Sequence, residues 1–228
     1  KYMNKINLND GGFVCLVDTM GSDVSVVNSA RVSYDNRTET MREGKDDRLV
    51  KYLWDHQHTS PFRHATLQFH IKAPIFVLRQ WMKHQVGCSW NERSGRYVKF
   101  KTEWWYPECL HNENDAKQGA GEPLSELLNS KAIGLLQKGY IDAYKTYNDL
   151  LEMGVAKEEA RAVLPVGMFS ECYWTASLQA VLHFLTLRLD EHTQNATRSY
   201  ARAVYDLMQR EEKYGCVLNI FADGLSEN

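Results

Sequence analysis

The sequence predicts an α+β fold, a mixed sheet with flanking helices. Three observations carry that expectation. Thr66-Leu67-Gln68-Phe69-His70-Ile71-Lys72 alternates strictly between apolar and polar, the period of a half-buried strand. Leu178 to Leu189 and Asn195 to Tyr214 carry apolar residues at helical spacing. Strands and helices then follow one another without regular βαβ alternation, which disfavours a doubly wound sheet. A length of 228 residues suits a single domain spanning 1–228.

Taken in order, Phe13 to Val17 is a short apolar run between Gly11-Gly12 and Gly21 and reads as a strand. Ser22 is a candidate N-cap for a helix to Ser33, and Asp46 to Gln57 places Leu49, Tyr52, Leu53 and His56 on one helical face. After the alternating strand, Pro74 opens a short apolar helix from Ile75 to His84. Cys88 to Arg96 reads as a polar loop and Arg96 to Lys101 as a strand, while 107–123 is a polar loop rich in Asn, Glu and Gly. Leu124 to Met153 is a long helix, with Gly134 and Gly139 as kink points and Gly154 as its stop. A brief helix over Lys157 to Leu164 ends at Pro165, and the aromatic stretch Met168 to Ser177 is read as a strand.

Composition narrows the function classes. Hydrophobic residues at 43% build a core and charged residues at 25% solvate a surface, so the chain is globular. A formal charge of −2 argues against a dedicated nucleic-acid binder, which carries a basic excess. Five widely spaced cysteines, an odd number without a Cys-x-x-Cys pair, argue for a reducing compartment rather than a disulfide framework. No apolar run has membrane-spanning length, and Lys1 to Lys5 is not followed by the apolar core of a signal peptide. A cytoplasmic protein is expected, with no membrane and no nucleic acid among its partners.

The chemistry concentrates between Arg79 and Lys101. There Arg79, Lys83, Arg93, Arg96, Lys99 and Lys101 face the single acid Glu92, with Trp81, His84 and Trp90 interleaved. A basic, aromatic stretch in a neutral protein suits an anionic ligand with a planar ring; a solvated basic hairpin is the bland alternative. At the C-terminal end of a helix, Gln80, Lys83 and His84 would be neighbours, and side chains rather than amides would have to hold an anion there. The amides and hydroxyl of the Cys88–Arg96 loop could cradle phosphate. Ser94 lacks a nearby base and orienter, which makes it a phosphate ligand rather than a nucleophile. Cys88 reads as a small packed residue. His56, His58, His64 and His70 lack carboxylate or thiolate partners at ligand spacing, so no metal is expected.

Arg79-Gln80-Trp81-Met82-Lys83-His84-Gln85, eight residues, then Ser94-Gly95-Arg96-Tyr97 resembles the signature of the flavin-dependent thymidylate synthases. That pattern runs Arg-His-Arg, seven or eight residues, then Ser, around Asn-Glu-x-Ser-x-Arg-Tyr. Lys83 and Gln85 depart from it, whereas Asn91 to Tyr97 keep it. Ala30-Arg31-Val32-Ser33, His56 to His64, Ala73 to Val77, Ala160 to Pro165 and Phe184 to Arg188 resemble further family segments in the right order. The resemblance implies transfer of a methylene from methylenetetrahydrofolate to C5 of dUMP, with FAD as redox cofactor and NADPH as reductant. By resemblance, Gln80, Trp81, Met82, Lys83, Glu92, Arg93, Ser94, Gly95, Arg96, Arg161 and Arg188 would hold dUMP. Ser60, Lys83, His84, Gln85, Glu92, Ser177, Leu178, Gln179 and His183 would line the FAD site.

Arg188 is the candidate catalytic residue. A guanidinium beside the uracil would stabilise the charge formed when N3 ionises and make C5 more nucleophilic. Without the resemblance it would read as a helix-end arginine paired with Asp190 or Glu191, and Arg161 as a surface partner of Glu158 and Glu159. On one helix, Arg188 lies nine residues from Gln179, about half a turn away. Sites shared between subunits would reconcile the two faces, and the resemblance implies a homotetramer with interfacial sites. Two other readings stand beside the enzyme: a flavin- or nucleotide-binding homologue that has lost turnover through Lys83 and Gln85, and a nucleic-acid module using the basic aromatic hairpin.

Overall fold

The computed structural model describes residues 4–95, 103–113 and 120–226. β1 (Lys5–Asn7) and β2 (Phe13–Met20) form a hairpin. α1 (Asp23–Ala30) starts where expected: the Ser22 amide donates to Ser25 Oγ at 3.1 Å, satisfying one of the donors a helix start leaves open. α2 (Asp46–Asp55) follows, its first turn anchored by a buried Arg31–Asp46 ion pair. A 3₁₀ turn over Ser60–His64 leads into β3 (Thr66–Pro74), which passes straight into α3 (Ile75–Trp81). β4 (Cys88–Glu92), α4 (Glu126–Glu152), α5 (Lys157–Ala160) and β5 (Phe169–Ser177) come next, then α6 (Leu178–Arg188), α7 (Asn195–Gln209) and α8 (Gly215–Ser226).

Among the described residues, five strands form one sheet in the order β1-β2-β3-β5-β4. Every pairing in it is antiparallel, so the expectation of a mixed sheet is corrected. Parallel neighbours need a crossover that returns to the same end of the sheet; here β3 and β4 run in the same direction, but β5 lies between them and runs against both. Alternation then sorts the faces. Leu67, Phe69, Ile71 and Ala73 of β3 join Cys172, Trp174 and Ala176 of β5 in the buried core, with Phe69 opposite Trp174. Leu182, Phe184 and Leu185 of α6 and Tyr200, Val204 and Leu207 of α7 complete that core. On the other face His70 stacks on Tyr173 with ring centres 4.9 Å apart.

Two further departures have physical causes. Cys88–Glu92 is an edge strand, not the loop expected over Cys88 to Arg96. Its alternation is real but short: Trp90 turns inward to stack on Trp174 at 5.5 Å, while Ser89 and Asn91 are exposed. α8 had no sequence assignment because its cap comes from elsewhere in the chain. The buried Asp23 carboxylate accepts the Cys216 and Val217 amides at 2.7 and 3.3 Å. α4 runs through Gly134 and Gly139 without a break and docks by Tyr140, whose ring stacks on Trp104 at 5.3 Å. Its hydroxyl lies against Gly167, where any side chain would collide with it. The expected strand Arg96 to Lys101 lies outside the described residues, as does the middle of the 107–123 loop. The described parts of that loop are tied together, the Asn112 amide donating to Glu122 and the Leu124 amide to Leu110.

Candidate active site

α3 is the pivot of the site. Arg79 and Gln80 are adjacent on it, so their side chains leave about 100° apart and serve different clusters. Trp81 cannot present its ring to a ligand: it is fully buried, stacked on Phe184 at 4.6 Å and edge-on to Trp174 at 5.2 Å. Together with Trp90, it builds an aromatic floor rather than the planar-ring clamp that the basic aromatic stretch suggested. Met82 also packs against the core. Trp81 leaves only its backbone as a contribution to any ligand, whereas Met82 remains partly exposed.

On the Arg79 side is a cavity of about 650 Å³, lined by Arg79, Glu92, Arg93, Ser94, Glu158, Arg161 and the apolar Ile75, Leu164, Val166 and Met168. Three guanidiniums from three separate segments thus meet a serine across one opening. Arg93 is held at its root: its amide donates to the Glu171 carbonyl at 2.8 Å and its guanidinium lies 3.9 Å from the Glu171 carboxylate. Arg161 Nε donates to the Glu158 backbone carbonyl at 3.2 Å, which gives the side chain its direction. Three cations over two acids, with a hydroxyl between, favour a compact anion.

On the Gln80 side is a tighter cluster. Arg188, the last residue of α6, donates through Nε to His84 Nε2 at 3.0 Å and through Nη2 to the Gln80 carbonyl at 3.4 Å. Its partners are these and not Asp190, which instead accepts the His192 amide. Arg188 therefore caps the C-terminal end of α3, where carbonyls lack helical partners. Two further rings of α6 surround His84: Phe184 meets it edge-on at 5.2 Å, and His183 lies at 5.7 Å. The burial of His84, reinforced by Arg188 and His183, holds its imidazole down at about 4, so the ring is neutral and Nε2 can accept. The Gln80 carboxamide is engaged from the α7 side, accepting from Thr197 Oγ1 at 3.0 Å and donating to Gln194.

A third group surrounds the N-terminal end of α6. Ser177 caps the helix, accepting the Ala180 amide at 3.2 Å, and its own amide donates to the Gly87 carbonyl at 3.0 Å. Gly87 has a φ of +72°, and a Cβ there would meet Ser177 Oγ at 2.9 Å, so the 85–88 turn lies closely against the helix start. Gln179 accepts from Arg63 Nε at 2.9 Å, which ties the helix to the turn holding the exposed Ser60. Lys83, Gln85 and His183 are also exposed, whereas the Leu178 side chain is fully buried. Burial pushes the Cys88 thiol up, which keeps it protonated and unreactive at neutral pH.

Of the residues expected to bind dUMP, the structure gathers Glu92, Arg93, Ser94 and Arg161 around the cavity and places Gln80 and Arg188 in the second cluster. Gly95 is buried next to Ser94 in the chain, and Arg96 lies outside the described residues. His183 and Arg188 both reach His84 despite their angular separation on α6, because the imidazole lies between them. Sequence reasoning missed Arg79 as a cavity residue and Arg63 as the partner of Gln179. The signal for Arg79 was its place in the basic stretch; Arg63 had only its position in the His-rich turn. Among the described residues, no group of three or more His, Cys, Asp or Glu is arranged to hold a metal ion, and no helix is long and apolar enough to cross a membrane.

With this geometry in place, likenesses to known proteins bear on the chain. The family profile described as thymidylate synthase complementing protein matches residues 15–211. A flavin-dependent thymidylate synthase of Kosmotoga olearia is 44% identical over 201 residues, covering 88% of this chain and 86% of the relative. One from Thermus thermophilus is 46% identical over 200 residues, covering 88% and 72%. Among solved structures, the UMP/dUMP methylase PolB from Streptomyces cacaoi, bound with 5-Br dUMP, superposes with a TM-score of 0.83 at 29% identity, covering 96% of this chain and 97% of that one.

Proposed function

The chain belongs to the thymidylate synthase complementing protein family, and from that premise we propose that it is a flavin-dependent thymidylate synthase that methylates dUMP to dTMP. The observation that carries this reading is the pair of clusters on either side of α3. One is a multi-cation cavity suited to a phosphate; the other is a guanidinium held by neutral acceptors and suited to a developing anion. Arg79, Arg93, Ser94 and Arg161 bind the nucleotide phosphate; Arg96 is assigned to the same ligand by its motif alone. Arg188 faces the uracil and stabilises the charge of the N3-ionised ring, which raises the nucleophilicity of C5.

The residues around the start of α6 fit FAD. The turn at Gly87 packs directly on Ser177 at the start of α6, the end of a helix that favours an anion such as a pyrophosphate. Ser60, Gln85, Ser177, Gln179 and His183 would hold it, with Lys83, His84 and Glu92 at its edges; Leu178, its side chain buried and its amide bonded to the Ala65 carbonyl at 2.8 Å, would shape the wall beneath. When bound, the flavin accepts reducing equivalents from NADPH and supplies them to the one-carbon unit donated by methylenetetrahydrofolate.

The separation of the two nucleotide clusters by α3 supports active sites completed across subunits of a homotetramer. The phosphate cavity of one protomer would then serve a uracil held by Arg188 of another. The test supplies dUMP, methylenetetrahydrofolate, FAD and NADPH and measures dTMP. Formation of dTMP is expected; binding of FAD and dUMP with no dTMP would reject the enzyme reading. Size-exclusion chromatography with light scattering should give four protomers, and a monomer with full activity would reject the shared sites.

A further inference from the structure

The signature triplet of this chain, Lys83-His84-Gln85, keeps its middle residue and changes both flanks. The structure separates the three in the same way. Lys83 and Gln85 are exposed, whereas His84 is partly buried and turned toward α6. We propose that His84 is the positioning residue for Arg188, a neutral acceptor that aims the guanidinium while leaving its charge unneutralised.

The argument starts from what a long cationic side chain requires. An arginine at a helix end samples many rotamers and gains direction only from its hydrogen bonds. A carboxylate partner would supply direction but would also offset the charge needed for an anionic ring. Arg188 is held by two uncharged acceptors instead, His84 Nε2 at 3.0 Å and the Gln80 carbonyl at 3.4 Å. The shorter bond uses Nε, so the outer guanidinium nitrogens retain donors for a ligand.

His84 is itself fixed. Its amide donates to the Trp81 carbonyl at 3.0 Å, its carbonyl accepts Trp90 Nε1 at 3.5 Å, and Phe184 meets its ring edge-on. Trp81 and Phe184 are fully buried, so the orientation of Arg188 is passed to it from the core through one imidazole. Accepting at Nε2 places the proton of the neutral ring on Nδ1. Burial beside Arg188 and His183 disfavours the imidazolium, which would have no lone pair at Nε2 and would repel the guanidinium.

The inference rests on the proposed thymidylate synthase activity, so its test has one arm that does not use turnover. In the wild-type protein without flavin, ¹⁵N NMR of the histidine rings should show His84 neutral, protonated at Nδ1 and non-titrating between about pH 5 and 8. A His84 signal protonated at Nε2, or titrating near the ordinary imidazole value, overturns the proposal whether or not dTMP is formed. The kinetic arm compares His84→Gln, which can place an amide oxygen near the Nε2 position, with His84→Phe, which fills the ring volume without an acceptor. His84→Phe should lower kcat by roughly 100-fold with little change in KM for dUMP, and His84→Gln should recover to within about 10-fold of wild type. The double variant His84→Phe/Arg188→Ala should be no slower than Arg188→Ala alone, because the two residues act as one unit. Flavin absorbance and thermal melting should confirm that each variant folds and retains FAD. Equal losses in the Gln and Phe variants, or multiplicative losses in the double variant, would overturn the positioning role.

Discussion

The two clusters on either side of α3 hold cations by opposite means. The cavity around Arg93, Ser94 and Arg161 is open and draws its positive charge from three separate segments of chain. The cluster around Arg188 has one guanidinium, partly buried, fixed by a neutral imidazole and a backbone carbonyl. An open group of cations attracts a phosphate, and the loss of one member weakens that attraction without disturbing the chemistry elsewhere. A single preorganised donor set has no such reserve, and its value appears where charge develops during the reaction. On the function proposed above, binding and activation would be divided between the two sides of a seven-residue helix.

The largest expected effect breaks the comparison at Arg188. Arg188→Ala should lower kcat for dTMP by about 100- to 1,000-fold while NADPH still reduces the bound flavin. Loss of both together would make Arg188 structural or flavin-binding. Arg161→Ala should act on the other side, raising KM for dUMP by roughly 10- to 100-fold, the value of one charge-assisted hydrogen bond, with kcat largely kept. A purely kcat effect there would erase the distinction between the clusters. Ser94→Ala removes one neutral donor from the cavity, and a KM increase of about 2- to 10-fold follows. A larger loss would mean that Ser94 has a part in the chemistry.

Asp23→Asn probes a site outside both clusters and should leave activity unchanged. Burial raises the Asp23 carboxyl to about 6 despite the two amides it accepts, so the folded chain takes up its proton more readily than the unfolded one. The stabilisation from this protonation is complete below about pH 4 and is lost as the pH rises through about 6, a difference on the order of 3 kcal/mol by pH 8. Thermal melts should therefore favour wild type over the variant more strongly at pH 4 than at pH 8. The reverse trend would mean that the ionised carboxylate is the better cap for α8.

What the sequence made legible follows from where the information resides. β3 was readable because strict alternation is written along one segment, and α6 and α7 because their apolar spacing is local. β4 reads as a loop because five residues at a sheet edge give too short a pattern, and α8 carries no sequence signal because its cap, Asp23, lies far away in the chain. The antiparallel arrangement depends on how β3, β5 and β4 meet, which no single segment records. At the site, the motif residues Glu92, Arg93 and Ser94 were found by resemblance and Arg161 by its own matching segment, and the fold brings them to one cavity. The convergence of His183, Arg188 and His84 was hidden, because helical spacing alone sets His183 and Arg188 apart and only the packing of α3 against α6 places an imidazole between them.

The most direct test of the division of labour measures kcat and KM for dUMP in Arg161→Ala and Arg188→Ala side by side, with FAD and NADPH saturating. The account predicts a KM defect in the first and a kcat defect in the second; the same pattern in both variants would contradict it.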